Sequence, residues 1–181
     1  MHRATLLLAL ALCAAPAVQA QPAPALADAL QGKSVLGQTR LRVWGFSVYD
    51  ATLYARPGFD AQRFGEQRFA LELAYLRDFD GADIAQRSLD EMRGLGPVDE
   101  ASAQRWLAAM KALFPNVKAG DRITGVHVPE AGARFYLNGR WLGAVDDPAF
   151  SRQFFGIWLS PRTSQPAMRA ALLQAAAART P

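Results

Sequence analysis

The sequence is short of the side chains that most catalytic chemistry uses. In 181 residues it has one cysteine and two histidines. Cys13 and His2 both fall within the first twenty residues, so a disulfide framework and a site built from several thiolates are excluded. His127 would be the sole imidazole in a zinc set or a Ser-His-Asp triad. It lies in the strand-like run Ile123–Val128, where a half-exposed histidine without a chemical duty is expected. Clustered charge is also missing. Lys+Arg 20 against Asp+Glu 16 gives +4, and the basic residues are too scattered to form the stripe that binds nucleic acid. Gly94-Leu95-Gly96 lacks the preceding strand and third glycine of a nucleotide loop. The bunched carboxylates Asp78, Asp80 and Asp83 precede or open a helix, where they favour its dipole. No metal and no cofactor are therefore expected.

What the sequence does have is an organised start. Met1-His2-Arg3 is positive, Ala4 to Ala15 is apolar, and Val18-Gln19-Ala20 ends in small residues. This is the three-part layout of a signal peptide over 1–20, cut near Ala20-Gln21. The apolar run is too short for a membrane anchor. Leu12 stands where a lipid-attachment signal before Cys13 needs a small residue. A periplasmic or secreted protein without a membrane span in its mature chain follows, with a flexible Pro/Ala leader at 21–29 and one domain at 30–178.

Periodicity divides that domain. Arg40 to Ala55 reads as one long extended segment with a bulge or bend at Gly45, where the apolar phase switches from Leu41 and Val43 to Phe46 and Val48. Phe69, Leu71, Leu73 and Tyr75 alternate as a strand. Two helices follow, capped by Asp80 and Asp99, with Ile84, Leu89 and Met92 on one and Trp106, Met110 and Leu113 on the other. Three strands come next, and Asn138-Gly139 marks a type I′ hairpin. Asp147-Pro148 opens one further helix, and Ser164 or Gln165 before Pro166 opens the last. The order predicts an α+β domain: an antiparallel sheet with helices packed on one face.

Three segments carry a family resemblance. Val48-Tyr49-Asp50-Ala51-Thr52-Leu53-Tyr54 follows Gly37-Gln38-Thr39-Arg40; Leu76-Arg77-Asp78-Phe79-Asp80-Gly81 leads into a helix; Tyr136-Leu137-Asn138-Gly139 precedes Phe154 to Leu159 and a serine-containing turn. In this order they resemble the chalcone-isomerase-like family, in its bacterial exported branch. The resemblance implies an open-faced sandwich with a ligand cleft between sheet and helices. Family members include isomerases that close a flavanone ring and relatives that bind fatty acids. The tyrosine and asparagine that the isomerases carry at the start of the helix after the second strand are absent from Gly81–Asp90. Their threonine falls on Tyr49, and their Ser/Thr before the last helix on Ser164.

Arg40 and Arg42 are two apart on a strand and share a face. If that face lines the cleft, their guanidinium groups would hold a carboxylate in a fork, assisted by the hydroxyl of Tyr49 or Tyr54. Otherwise they are solvated edge charges. Ser164 is either a cleft hydroxyl or a helix cap. The candidate ligand-binding residues are thus Arg40, Arg42, Tyr49, Tyr54 and Ser164. The first reading is a non-catalytic binder of a fatty acid or another small amphipathic carboxylate. Two others stay open: an isomerase acting on a chalcone-like enone, and an envelope interaction module with a vestigial cleft. In the last, Trp141, Phe154, Phe155 and Trp158 would supply an aromatic patch.

Overall fold

Residues 24–177 are described by the structure, a computed structural model. The expected signal at 1–20 lies outside them. Six strands pair antiparallel in simple sequence order: β1 (Ser34–Val43), β2 (Phe46–Ala55), β3 (Phe69–Tyr75), β4 (Arg122–Val128), β5 (Gly132–Leu137) and β6 (Arg140–Val145). The helices are α1 (Leu26–Leu30), α2 (Gly81–Leu95), α3 (Glu100–Leu113), α4 (Pro148–Leu159), α5 (Pro166–Leu172) and α6 (Gln174–Ala177). The helix α1 begins inside the expected leader and buries Ala29 against Ala70, Val126 and Tyr136.

Alternation along the strands creates two unlike faces. The inner face presents Leu53, Phe69, Leu71, Leu73, Ile123 and Phe135 to α2, α3, α4 and α5. The outer face carries Arg40 against Asp50, Glu72 against Arg122, and Gln38 against Thr52. The short α1 covers one end of that outer face, so the helices are concentrated on one face without being confined to it.

Arg40 to Ala55 is two strands rather than one bent segment. Trp44 (φ 49°) and Gly45 (φ 82°) form a two-residue turn with both residues left-handed, as do Asn138 (φ 50°) and Gly139 (φ 80°). The phase switch comes from this turn and from Val48, an extra residue between the Leu41–Tyr49 and Arg42–Ser47 pairs.

Capping ties helices to the chain around them. Asp99 accepts from the Ser102 amide, and Asp147 from those of Ala149 and Phe150. Asp80 occupies the N-cap of α2, but its side chain makes no capping bond; the Asn116 side chain accepts from the Gly81 amide instead. The expected single last helix is broken at Leu173 into α5 and α6. A side chain at Gly37 would strike the Ala171 and Leu172 carbonyl oxygens. That close approach sets the end of α5 against the edge strand β1.

Candidate functional site

At one end of the inner face the helical layer does not close onto the sheet. A cavity of about 650 Å³ opens there between the β1–β2 hairpin, β3, α2, α4 and α5. Its walls are mainly apolar: Leu41, Val43, Leu73, Ile84, Phe114, Phe154, Ile157, Trp158 and Met168. Arg77, Asp83, Arg87, Glu91, Ser164 and Gln165 also line it.

Its polar groups are mostly engaged with one another. Trp158 Nε1 donates to Tyr49 Oη at 3.0 Å. Burial, more than any other influence, pushes the Tyr49 phenol up to about 12, so the hydroxyl stays protonated around neutral pH while it accepts from Trp158. The ring of Tyr75 meets Tyr49 edge-on at 6.1 Å. Burial raises its phenol too, with a further push from Tyr49. Along α2, Arg87 donates to Glu91 Oε1 and Ser164 Oγ donates to Glu91 Oε2 at 2.7 Å. Both oxygens of this carboxylate are thereby occupied. Ser88 donates to the Ile84 carbonyl oxygen at 2.7 Å.

Arg77 is different. Its guanidinium lies 5.1 Å from the centre of the Phe46 ring, within cation–π range. Among the described residues it has no carboxylate partner. Among those residues there is also no cluster of His, Cys, Asp and Glu able to hold a metal ion.

The structure divides the five expected site residues. Tyr49 and Ser164 line the cavity. Ser164 does not cap α5, whose N-cap is Gln165. Arg40, Arg42 and Tyr54 are not among the cavity residues. Arg40 forms a forked pair with Asp50, at 2.6 and 2.8 Å, on the outer face. Arg42 is exposed opposite Ser47, and Tyr54 packs towards α1 with the outer cluster. The physical reason is parity. Thr39 and Leu41 pair with Ala51 and Tyr49, whose side chains face inward, so Arg40 and Arg42 face outward.

His127 also departs from expectation. It is fully buried, stacked on Phe69, with Nδ1 2.7 Å from Ser151 Oγ and Nε2 2.9 Å from the Gly65 carbonyl oxygen. That oxygen can only accept, so Nε2 carries a proton. Burial lowers the pKa of the ring below its ordinary value. The proposed aromatic patch is not a surface either. Phe154, Phe155 and Trp158 are buried, and Trp141 is half-buried against Tyr136. Among the described residues the exposed aromatics are Trp44 and Phe46.

A single antiparallel sheet, roofed on one side by helices with an apolar cleft between, defines the class: an open-faced α+β sandwich. The chain belongs to the chalcone isomerase-like family, whose model matches residues 35–174. An uncharacterized protein of Haemophilus influenzae is 30% identical over 122 residues, covering 67% of this chain. The match spans 58% of that relative's length. The crystal structure of a fatty-acid binding protein of Arabidopsis thaliana superposes with a TM-score of 0.65 at 14% identity, covering 82% of this chain and 90% of that one. This second likeness is one of fold.

Proposed function

We propose that the protein is a non-catalytic binder of a small amphipathic carboxylate, with a fatty acid as the favoured ligand, acting outside the cytoplasm. The observation that carries this reading is the apolar cavity of about 650 Å³ with the Arg77 guanidinium at its lining. That volume suits a small-molecule ligand. Apolar walls favour an alkyl chain by about 25 cal/mol per Å² removed from water. The buried end is a poor place for an uncompensated carboxylate, so the head group sits beside Arg77 while the chain runs towards Ile157 and Trp158. The fatty-acid binding protein that shares the fold is consistent with this assignment, and the signal-like first twenty residues support export.

Catalysis has less support. Enone cyclisation asks for a residue that polarises the ketone, and Gly81–Asp90 lacks the tyrosine and asparagine expected for it. The Glu91 carboxylate is committed to Arg87 and Ser164.

The test compares dodecanoate with dodecanol by calorimetric titration. The wild type is expected to bind both. Ile157→Trp, which fills the cavity, should weaken both at least about tenfold, the loss that accompanies roughly 1.4 kcal/mol. Arg77→Gln should weaken the acid alone, whereas an Arg40→Ala, Arg42→Ala double variant should match the wild type. Equal affinities in the wild type and Ile157→Trp would overturn the reading.

A further inference from the structure

The β1–β2 hairpin continues past the rest of the sheet. Pairing of β2 with β3 begins at Tyr49, and one further bond joins the Leu76 amide to the Val48 carbonyl oxygen. Beyond it, Arg42 to Ser47 form a two-stranded finger whose turn is Trp44-Gly45. Its apolar residues are three of the four exposed large ones described, Trp44 at 94%, Phe46 at 61% and Val43 at 41%; the fourth is Val35, further along β1. All three also belong to the cavity lining.

Trp44 is misplaced by every rule of local stability. Its φ of 49° is the left-handed region, which bulky side chains adopt at a conformational cost and which Asn or Gly fills readily. The twin turn in this chain uses Asn138 at the same position. Burial gives Trp44 nothing in return, because the ring is in solvent. A side chain that contributes neither to the turn nor to the core points to an external partner.

Size and charge select that partner. Three side chains on a convex finger expose a few hundred Å² at most, whereas a stable protein interface needs about 800 Å² per partner. A bilayer interface needs far less, since tryptophan with nearby arginine is the usual anchor at head-group depth. Arg42 lies on the finger and Arg77 against Phe46; neither is in an ion pair among the described residues. Asp83 lines the same cavity and offsets one of these charges.

We infer that the Trp44 finger inserts into the surface of an anionic phospholipid bilayer and sets the mouth of the cavity against it. The docking does not depend on which ligand the cavity takes. Each arginine near an anionic surface contributes about fivefold in partitioning, so the preference for anionic lipid is modest and the apolar tip dominates.

The test is flotation with vesicles of phosphatidylcholine containing 30% phosphatidylglycerol, and with pure phosphatidylcholine, without added fatty acid. The wild type should float with both, more strongly with the anionic vesicles, and its tryptophan emission should shift to the blue. Trp44→Asn should reduce partitioning at least tenfold while raising the melting temperature, which separates loss of docking from loss of fold. Arg42→Gln should remove part of the anionic preference only. The inference is overturned if the wild type stays with the soluble fraction, if Trp44→Asn floats equally well, or if the variant melts lower. It is equally overturned if the finger proves to be a contact between two copies of the chain by sedimentation without lipid. A failed flotation leaves the dodecanoate result untouched, so the two readings fall separately.

Discussion

The two ends of the inner face are built from the same sheet and the same helix α4, yet one is filled and the other is hollow. At the filled end Phe69 meets Phe155 edge-to-face at 5.0 Å and Phe135 meets Phe150 edge-to-face at 6.5 Å. His127 is stacked into the same group. At the hollow end Leu41, Tyr49 and Trp158 face space. Interiors normally pack like organic crystals, so an apolar void this large forgoes contacts that its lining would otherwise make. The lesson is that stability is concentrated at one end, which frees the other to hold something else.

Substitution should expose that division, beginning where the effect is largest. Phe155→Ala removes a ring with no solvent exposure and should destabilise by about 3–5 kcal/mol, read from urea unfolding. A closer comparison lies within one turn of α4. Leu159 is fully buried in the packed layer and Ile157 lines the cavity. Leu159→Ala should cost about 2–5 kcal/mol, whereas Ile157→Ala, which enlarges an existing void, should fall at or below the bottom of that range. Equal losses would show that the hollow end is packed in solution.

His127 gives the filled end a pH signature. Its folded pKa lies below the ordinary value of 6.5 because burial disfavours the imidazolium. Below that pH the unfolded chain therefore binds the extra proton first. This contribution is fully present above about pH 6.5, is lost as pH falls below it, and levels off once the folded ring protonates. A urea midpoint that declines across this window, and a flatter one in His127→Gln, would establish the assignment. A wild-type midpoint that rises as the solution is acidified would refute it.

Much of this was legible in the sequence, and the failures share a cause. Alternation from Phe69 to Tyr75 gave β3 its inward face, Asn138-Gly139 its hairpin, and Asp147-Pro148 the start of α4. The spacing of Arg40 and Arg42 placed both on one face, which is what the structure has. Which face met the core was undetermined, because the parity had to be carried through a turn at Trp44-Gly45 and an extra residue at Val48. One residue of slip reverses every side chain. Arg87 and Glu91 were readable as an i,i+4 pair sharing a helix face with Ser88, but nothing marked that face as a cavity wall. Arg77 lies in the loop between β3 and α2, where no periodicity reports direction.

The smallest expected effect belongs to the outer face and closes that ambiguity. Arg40 holds the Asp50 carboxyl below its ordinary value chiefly through their hydrogen bond. The pair is exposed, with side chains 45% and 41% accessible, so solvent and salt screen most of its attraction. Its contribution is present above the ordinary carboxylate pKa and fades as pH falls through the depressed one. Asp50→Asn should therefore leave the neutral-pH melting temperature nearly unchanged and flatten only the most acidic part of the stability curve, an effect that 0.5 M salt diminishes. Dodecanoate affinity in the same variant should equal that of the wild type, because the side chain lies across the sheet from the cavity. A loss of affinity would return Arg40 to the ligand site and take the ligand's head group away from Arg77.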